Sequence, residues 1–156
     1  MLTDAELKTL PDNPDTGIAE AGKDTLLYVN AGTTAAAKFV LVGGQRNSPL
    51  NMAADSIDGS HKNSGGWKTN LQGLKNWSME HDGLLIMSDE GRQVMEYCYR
   101  NSKQVNIKLV YKNGSFRTGW ANITKFDEDN SHTGVQTVKI TLEGVGPISD
   151  ITATGA

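Results

Sequence analysis

A chain of 156 residues has single-domain length and can bury an ordinary core. Its 37% apolar and 21% charged shares are those of a globular protein, which excludes wholesale disorder. A formal net charge of −3 gives no bulk sign of a phosphate-gripping surface, and the single cysteine, Cys98, excludes an internal disulfide framework.

The longest apolar runs, 39–42 and 84–87, are four residues each, far short of a membrane span. The first six residues carry acids and no apolar stretch, so no signal peptide is expected there. The expectation is a soluble, cytosol-made protein.

Residues 1–23 read as an arm, because Pro11, Pro14 and Gly17 interrupt any helix. Such arms are commonly mobile until docked. A domain is expected over 24–150, with a flexible tail at 151–156. It opens with a strand over 24–29. A second strand over 38–42 is nearly all apolar, as a strand covered on both faces would be. From 43 to 73 Gly, Ser and Asn dominate, and a long loop is expected, with room for an extended strand at 51–60 and a hairpin tip at 63–66. Strand pattern resumes over 74–86, with Trp77 and Met79 on one face and Asn76, Ser78 and Glu80 on the other.

One helix is predicted over about 88–101. Ser88 is its expected N-cap, Asp89 and Glu90 fall in the first turn, and Arg100 and Lys103 lie at the far end. Arg92, Glu96 and Arg100 follow i, i+4 spacing, and Val94, Met95 and Cys98, with Tyr97 beside them, form the expected buried stripe. Gly91 weakens the helix start. Residues 105–111 then alternate as a strand, and Asn113-Gly114 predicts a type I′ hairpin turn. Its partner strand is expected over 115–126, a polar loop over 127–133 and a last strand over 134–143. The fold class is mainly β with one α-helix, an antiparallel β-sandwich or barrel.

No catalytic constellation is legible. His61, His81 and His132 stand alone, without metal-ligand spacing, and each reads as a surface or loop residue. Cys98 has no CxxC partner and reads as a small core residue. The acidic run Asp127-Glu128-Asp129-Asn130-Ser131-His132 resembles the start of a calcium loop, but His132 and Val138 stand where that loop needs Gly and Glu. A solvated turn is the better reading. No nucleotide-binding glycine pattern and no GxSxG occur, so no cofactor and no metal are expected.

Several pieces do stand in a telling order: Val42-Gly43-Gly44-Gln45, Ser56-Ile57-Asp58-Gly59-Ser60, Gly65-Gly66-Trp67, Leu71-Gln72-Gly73-Leu74-Lys75-Asn76-Trp77 and Leu142-Glu143-Gly144-Val145-Gly146-Pro147. Together they resemble the major tail tube proteins of long-tailed bacteriophages, the TP901-1-like major tail proteins, over residues 25–147. The resemblance implies a β-sandwich or barrel of the tail tube type and a structural subunit rather than an enzyme. It implies stacked, hexameric rings with the helix outside a continuous inner barrel, a lumen through which DNA passes without specific binding, and residence in the virion tail after assembly in the host cytoplasm. The implied partners are further copies of the chain, a tape-measure protein, baseplate or distal tail proteins and a tail terminator, with no membrane. A tube subunit of a tailocin, gene-transfer agent or secretion device has the same resemblance.

On this reading Gly44, Gln45, Arg46, Asp58, Gly65, Gly66, Trp67 and Leu71 are candidate subunit-interface residues. The arm and the 43–73 segment either make the ring and stacking contacts or are simply mobile. Trp77 reads as a core residue, and Trp67 anchors a neighbouring subunit, anchors its own loop, or shares a ligand groove with Trp77. Glu80 and Glu143 are candidate acidic residues of the lumen, with the outer wall as the other placement. A monomeric β-sandwich ligand-binding module is the rival of a different class.

Overall fold

The computed structural model describes residues 1–11 and 21–153. Its elements are a helical turn α1 (Asp4–Leu7), a 3-10 turn (Gly22–Asp24), strands β1 (Leu26–Asn30), β2 (Phe39–Leu41), β3 (Gln45–Asn47), β4 (Leu50–Asp58) and β5 (Asn70–Leu84), helix α2 (Glu90–Arg100), and strands β6 (Val105–Val110), β7 (Phe116–Asp129) and β8 (Thr137–Val145). All strand pairs are antiparallel, in the order β2-β1-β6-β7-β8-β5-β3, with β4 also on β5.

Period-two alternation places Leu27, Val29, Ile107, Leu109, Ala121, Val138, Ile140, Leu142, Trp77 and Met79 on one face, where they form the core. Helix α2 adds Met95 and Cys98 to it. The curled sheet meets itself at Gln45. Its Oε1 accepts from the Leu27 N–H at 2.9 Å, and its Nε2 donates to the carbonyls of Leu27 at 2.8 Å and Val42 at 2.6 Å. A side-chain amide on β3 thereby gives β1 the partner that another strand would.

Trp77 lies across the core with its Nε1 donating to the Gly146 carbonyl at 3.1 Å. Two strands make room for its indole with glycine: a Cβ on Gly119 would stand 2.8 Å from the ring, and one on Gly144 would overlap it. The glycines of β7 and β8 are therefore packing residues.

Several expectations change. Asp89, not Ser88, caps α2, its carboxylate accepting from the Arg92 N–H at 2.9 Å. The same carboxylate accepts from Gly43 N–H at 3.1 Å, so it joins the helix start to the β2–β3 turn, work that Ser88 does not do. Gly91 is there because a Cβ would stand 2.9 Å from the Val42 backbone. Tyr97 is exposed, and the buried positions beside Met95 and Cys98 are Gly91 and Arg92. The Arg92 guanidinium donates to the carbonyls of Ile86 at 3.2 Å and Met87 at 3.0 Å and pairs with Glu96 at 2.6 Å, which offsets its burial. That pairing, with Arg100 adding to it, holds the Glu96 carboxyl below the usual carboxylate range.

Strand β2 is an edge strand with Leu41 exposed, rather than a strand covered on both faces. The Asn113-Gly114 turn is not type I′, because only Gly114 has positive φ there (85°). Gly114 N–H bonds Tyr111 and the Asn113 carboxamide accepts from Ser115, as in a three-residue turn closed by a left-handed glycine. Asp127, Glu128 and Asp129 extend β7 instead of forming a loop. Within the expected tail, Thr152 pairs with Phe116 through two backbone bonds of 3.0 and 2.8 Å, so the chain remains tied to β7 there. Pro14 and Gly17 of the arm lie outside the described residues.

Candidate assembly interface

The segment expected as a loop over 43–73 is mostly strand. It holds β3, β4 and the start of β5, and only residues 59–69 form the connecting tip. β4 and β5 pair from Leu50↔Met79 to Asp58↔Asn70, whereas β8 joins β5 only from Ser78 onward. The outer half of the hairpin is thus a two-stranded ribbon with unpaired backbone on both sides. Such edges are templates for another chain.

A bulge decides what this ribbon shows. Between Ala54↔Lys75 and Ser56↔Gln72, β5 spends two residues, Gly73 and Leu74, against the single Asp55 of β4. The bulge lets Ile57 and Leu71 pair on the face opposite Met52 and Trp77, because β4 itself keeps strict alternation from 52 to 57. A Cβ on Gly73 would stand 3.2 Å from Ile57, and one on Gly59 would stand 3.5 Å from Leu71, so small residues keep this apolar pair accessible. Met52, Ile57, Leu71 and Leu74 are all exposed, Leu74 to 81%.

At the tip, Gly65 and Gly66 have φ of 63° and 81°, values an L side chain rarely adopts. They turn the chain so that Trp67 stands 82% exposed. Asp58 accepts from the Ser60 N–H at 2.9 Å, which closes the entry to the tip, and the Ser60 hydroxyl first and this N–H second hold its pKa below the ordinary value. Leu71, Gly65, Gly66, Trp67 and Asp58 are therefore brought together on one projection. Gly44, Gln45 and Arg46 are not. They lie at the β2–β3 turn, where Gly44 (φ 70°) abuts Leu84 and the Gln45 amide is spent within the chain; Arg46 is exposed there.

Trp77 is 3% exposed, so its reading as a core residue holds and the alternative of a ligand groove shared with Trp67 is overturned. His81, expected at the surface, is buried on β5. The signal was present: position 81 continues the inward parity of 77 and 79. Its Nδ1 lies 3.2 Å from Ser48 Oγ while Nε2 has no partner, and burial pushes its pKa below the ordinary value. The exposure of Leu74 is not legible in the sequence, because only pairing reveals the bulge.

Glu80 and Glu143 stand on the sheet face away from the core, opposite Thr141 and Ser78 respectively. Lys139 lies opposite both Asp82 and Asp127, and the residues directly across from Glu80 and Glu143 are uncharged. Neither forms an ion pair among the described residues. No described helix is long and apolar enough to cross a membrane.

The profile of a family described as phage tail tube protein matches residues 19–150. The chain belongs to this family. Solved tail structures share its fold. A chain of the virion of a native gene transfer agent (GTA) particle superposes with a TM-score of 0.74 at 20% identity, covering 86% of this chain and all of that one. A chain of the tail of an empty GTA particle, determined with C6 symmetry, gives 0.75 at 23% identity over the same shares. The SPP1 tail tube gives 0.72 at 16% identity, covering 85% of this chain and 80% of that one. No curated protein sequence matches. The protein is a tail tube subunit, a member of a structural family, and the expected recognition and fold class hold.

Proposed function

We propose that this tail tube subunit self-assembles into stacked, hexameric rings that form a hollow conduit for DNA in the virion tail. One observation carries the reading of a chain built to be covered. Its accessible surface is 11077 Å², about 45% above the roughly 7,600 Å² that a compact monomer of 16.8 kDa presents. The C6 symmetry of the matched GTA tail supports sixfold rings.

The β4–β5 ribbon supplies the principal contact, with Ile57, Leu71 and Leu74 as its apolar face and Trp67 as its anchor. Burying each such side chain is worth about 1.5–3 kcal/mol when complete. Gly44 and Arg46 border a lesser contact at the β2–β3 turn. Glu80 and Glu143 line the lumen, where carboxylates repel a phosphate backbone and keep DNA from adhering by counterion release. Assembly takes place in the host cytoplasm around a tape-measure protein, between a distal tail or baseplate complex and a terminator.

Negative-stain electron microscopy of the purified protein over a concentration series, beside a light-scattering mass, tests this. Rings or hollow tubes are expected. A chain that stays monomeric even with tape-measure and baseplate proteins added would refute the reading. Trp67→Ala is expected to reduce tube yield while leaving the melting temperature of the unassembled subunit unchanged. Equal tube yield would remove Trp67 from the interface.

A further inference from the structure

The charge of the chain is unevenly placed. Residues 1–23 hold five acids and two bases, whereas the rest holds thirteen of each, so the whole net charge of −3 resides in the arm. The arm is also apolar in a particular way. Turn α1 is well capped, with Glu6 N–H donating to Thr3 Oγ1 at 3.3 Å and Thr3 N–H donating to Glu6 Oε2 at 2.7 Å. Yet it buries none of its residues, and Leu2, Leu7 and Leu10 are all exposed. A single helical turn has no stability of its own in water, so a capped turn bearing leucines is organised for a surface that it does not touch within one chain.

A groove among the described residues offers that surface. It is open, about 830 Å³ in volume, and runs between α2 and the β1–β2 turn. Val94, Tyr97 and Trp120 supply its apolar lining, and Lys38 and Lys103 outnumber Glu90 among its charges. Tyr97 and Trp120 are exposed there.

We infer that this groove receives the N-terminal arm of a second copy of the chain, leucines against Val94, Tyr97 and Trp120, and acids toward Lys38 and Lys103. The seat is in trans because, among the described residues, a single chain leaves both surfaces uncovered, while both are apolar and their net charges are opposite. The inference rests on the tube reading and adds a contact independent of the β4–β5 ribbon. Acidic–basic pairing at the rim orients the arm, and apolar burial holds it.

Cross-linking in the full-length chain tests this. Leu7→Cys and Gln93→Cys are combined in a Cys98→Ala background, Gln93 being an exposed residue of the groove. Treatment of assembled tubes with a short bis-maleimide is expected to yield a ladder of covalently joined chains, and the same treatment of unassembled subunits only single chains. Leu7→Asp with Leu10→Asp, both outside the core, provides a second readout should Cys98→Ala fail to fold. It is expected to cut tube yield about tenfold with an unchanged melting temperature; unchanged yield overturns the inference. So does a Leu7–Gln93 link confined within one chain, tubes that form without that link, or a Trp67→Cys variant that links to Gln93→Cys in its place. Each of those outcomes leaves the tube reading standing. If the unsubstituted chain forms no tubes under any condition, the tube reading fails and this inference with it.

Discussion

Two buried side chains show how single residues constrain this fold. Trp77 occupies space that Gly119 and Gly144 leave open, so its environment is a set of absences on neighbouring strands. Gly144→Ala places a methyl into the indole and is expected to cost on the order of 1–3 kcal/mol, as overpacking of a well-filled core does. Urea unfolding of the unassembled subunit reads this as a lower midpoint; an unchanged midpoint would mean that the ring moves aside freely. His81 gives the subunit an acid sensitivity. Burial holds its folded-state pKa below the ordinary 6.5, with Asp82 and Asp89 opposing only in part. As the pH falls below about 6.5 the unfolded chain takes up the proton first, so stability present above that value is lost on acidification. The Glu96 pairing weakens only at lower pH, as the pH falls below its ordinary 4.5. His81→Gln should therefore flatten the fall in melting temperature between about pH 7.5 and 5.5. A variant whose melting temperature drops as steeply as the parent's would assign that sensitivity to other groups.

At the scale of elements, periodicity was a good guide where one face meets the core. Residues 105–111 and 137–142 alternate in the structure as they do in the sequence, and the Arg92-Glu96-Arg100 series pairs as its spacing implies. Periodicity failed where strands lack a core. The β4–β5 ribbon is exposed on both faces, so its Gly, Ser and Asn content predicts a loop with room for a strand at 51–60 and a tip at 63–66. β4 and the tip stand there, while only backbone pairing shows that β5 begins at Asn70 and that β3 is a strand. Likewise Asp89 and Ser88 are equal as capping residues by chemistry, and the reach to Gly43, 46 positions away, chose between them. Ile57→Lys with Leu71→Lys on the ribbon should leave the melting temperature of the isolated subunit nearly unchanged, as surface substitutions do, while abolishing tubes. A large drop in that temperature would place these residues in the fold rather than in the interface.

Across the whole molecule, the outer face of the sheet is where charge matters. Glu80 and Glu143 lie opposite Thr141 and Ser78, while Lys139 stands across from Asp82 and Asp127, and Asp127 pairs with Lys125 at 3.3 Å. With both carboxylates reversed, Glu80→Lys with Glu143→Lys should still form tubes, because neither residue belongs to the core or the ribbon. DNA passage is expected to slow, and to recover at high salt, since cation–phosphate contacts weaken with ionic strength. Normal ejection kinetics from the double variant would move these residues to the outer wall.

By itself the sequence determined the β class, the position of the one long helix, the inward faces of the central strands and, through an ordered set of short pieces, the family. Those features are local, or recur at the period of one element, so composition and spacing carry them. The tertiary structure alone decided that Trp67 projects from the tip, that Gln45 ties β3 to β1 instead of facing a neighbour, and that a bulge at Gly73-Leu74 turns apolar side chains outward. Each depends on which residues stand opposite one another across strands distant in the chain, and that register is set by packing against a common core rather than by any residue's own preference.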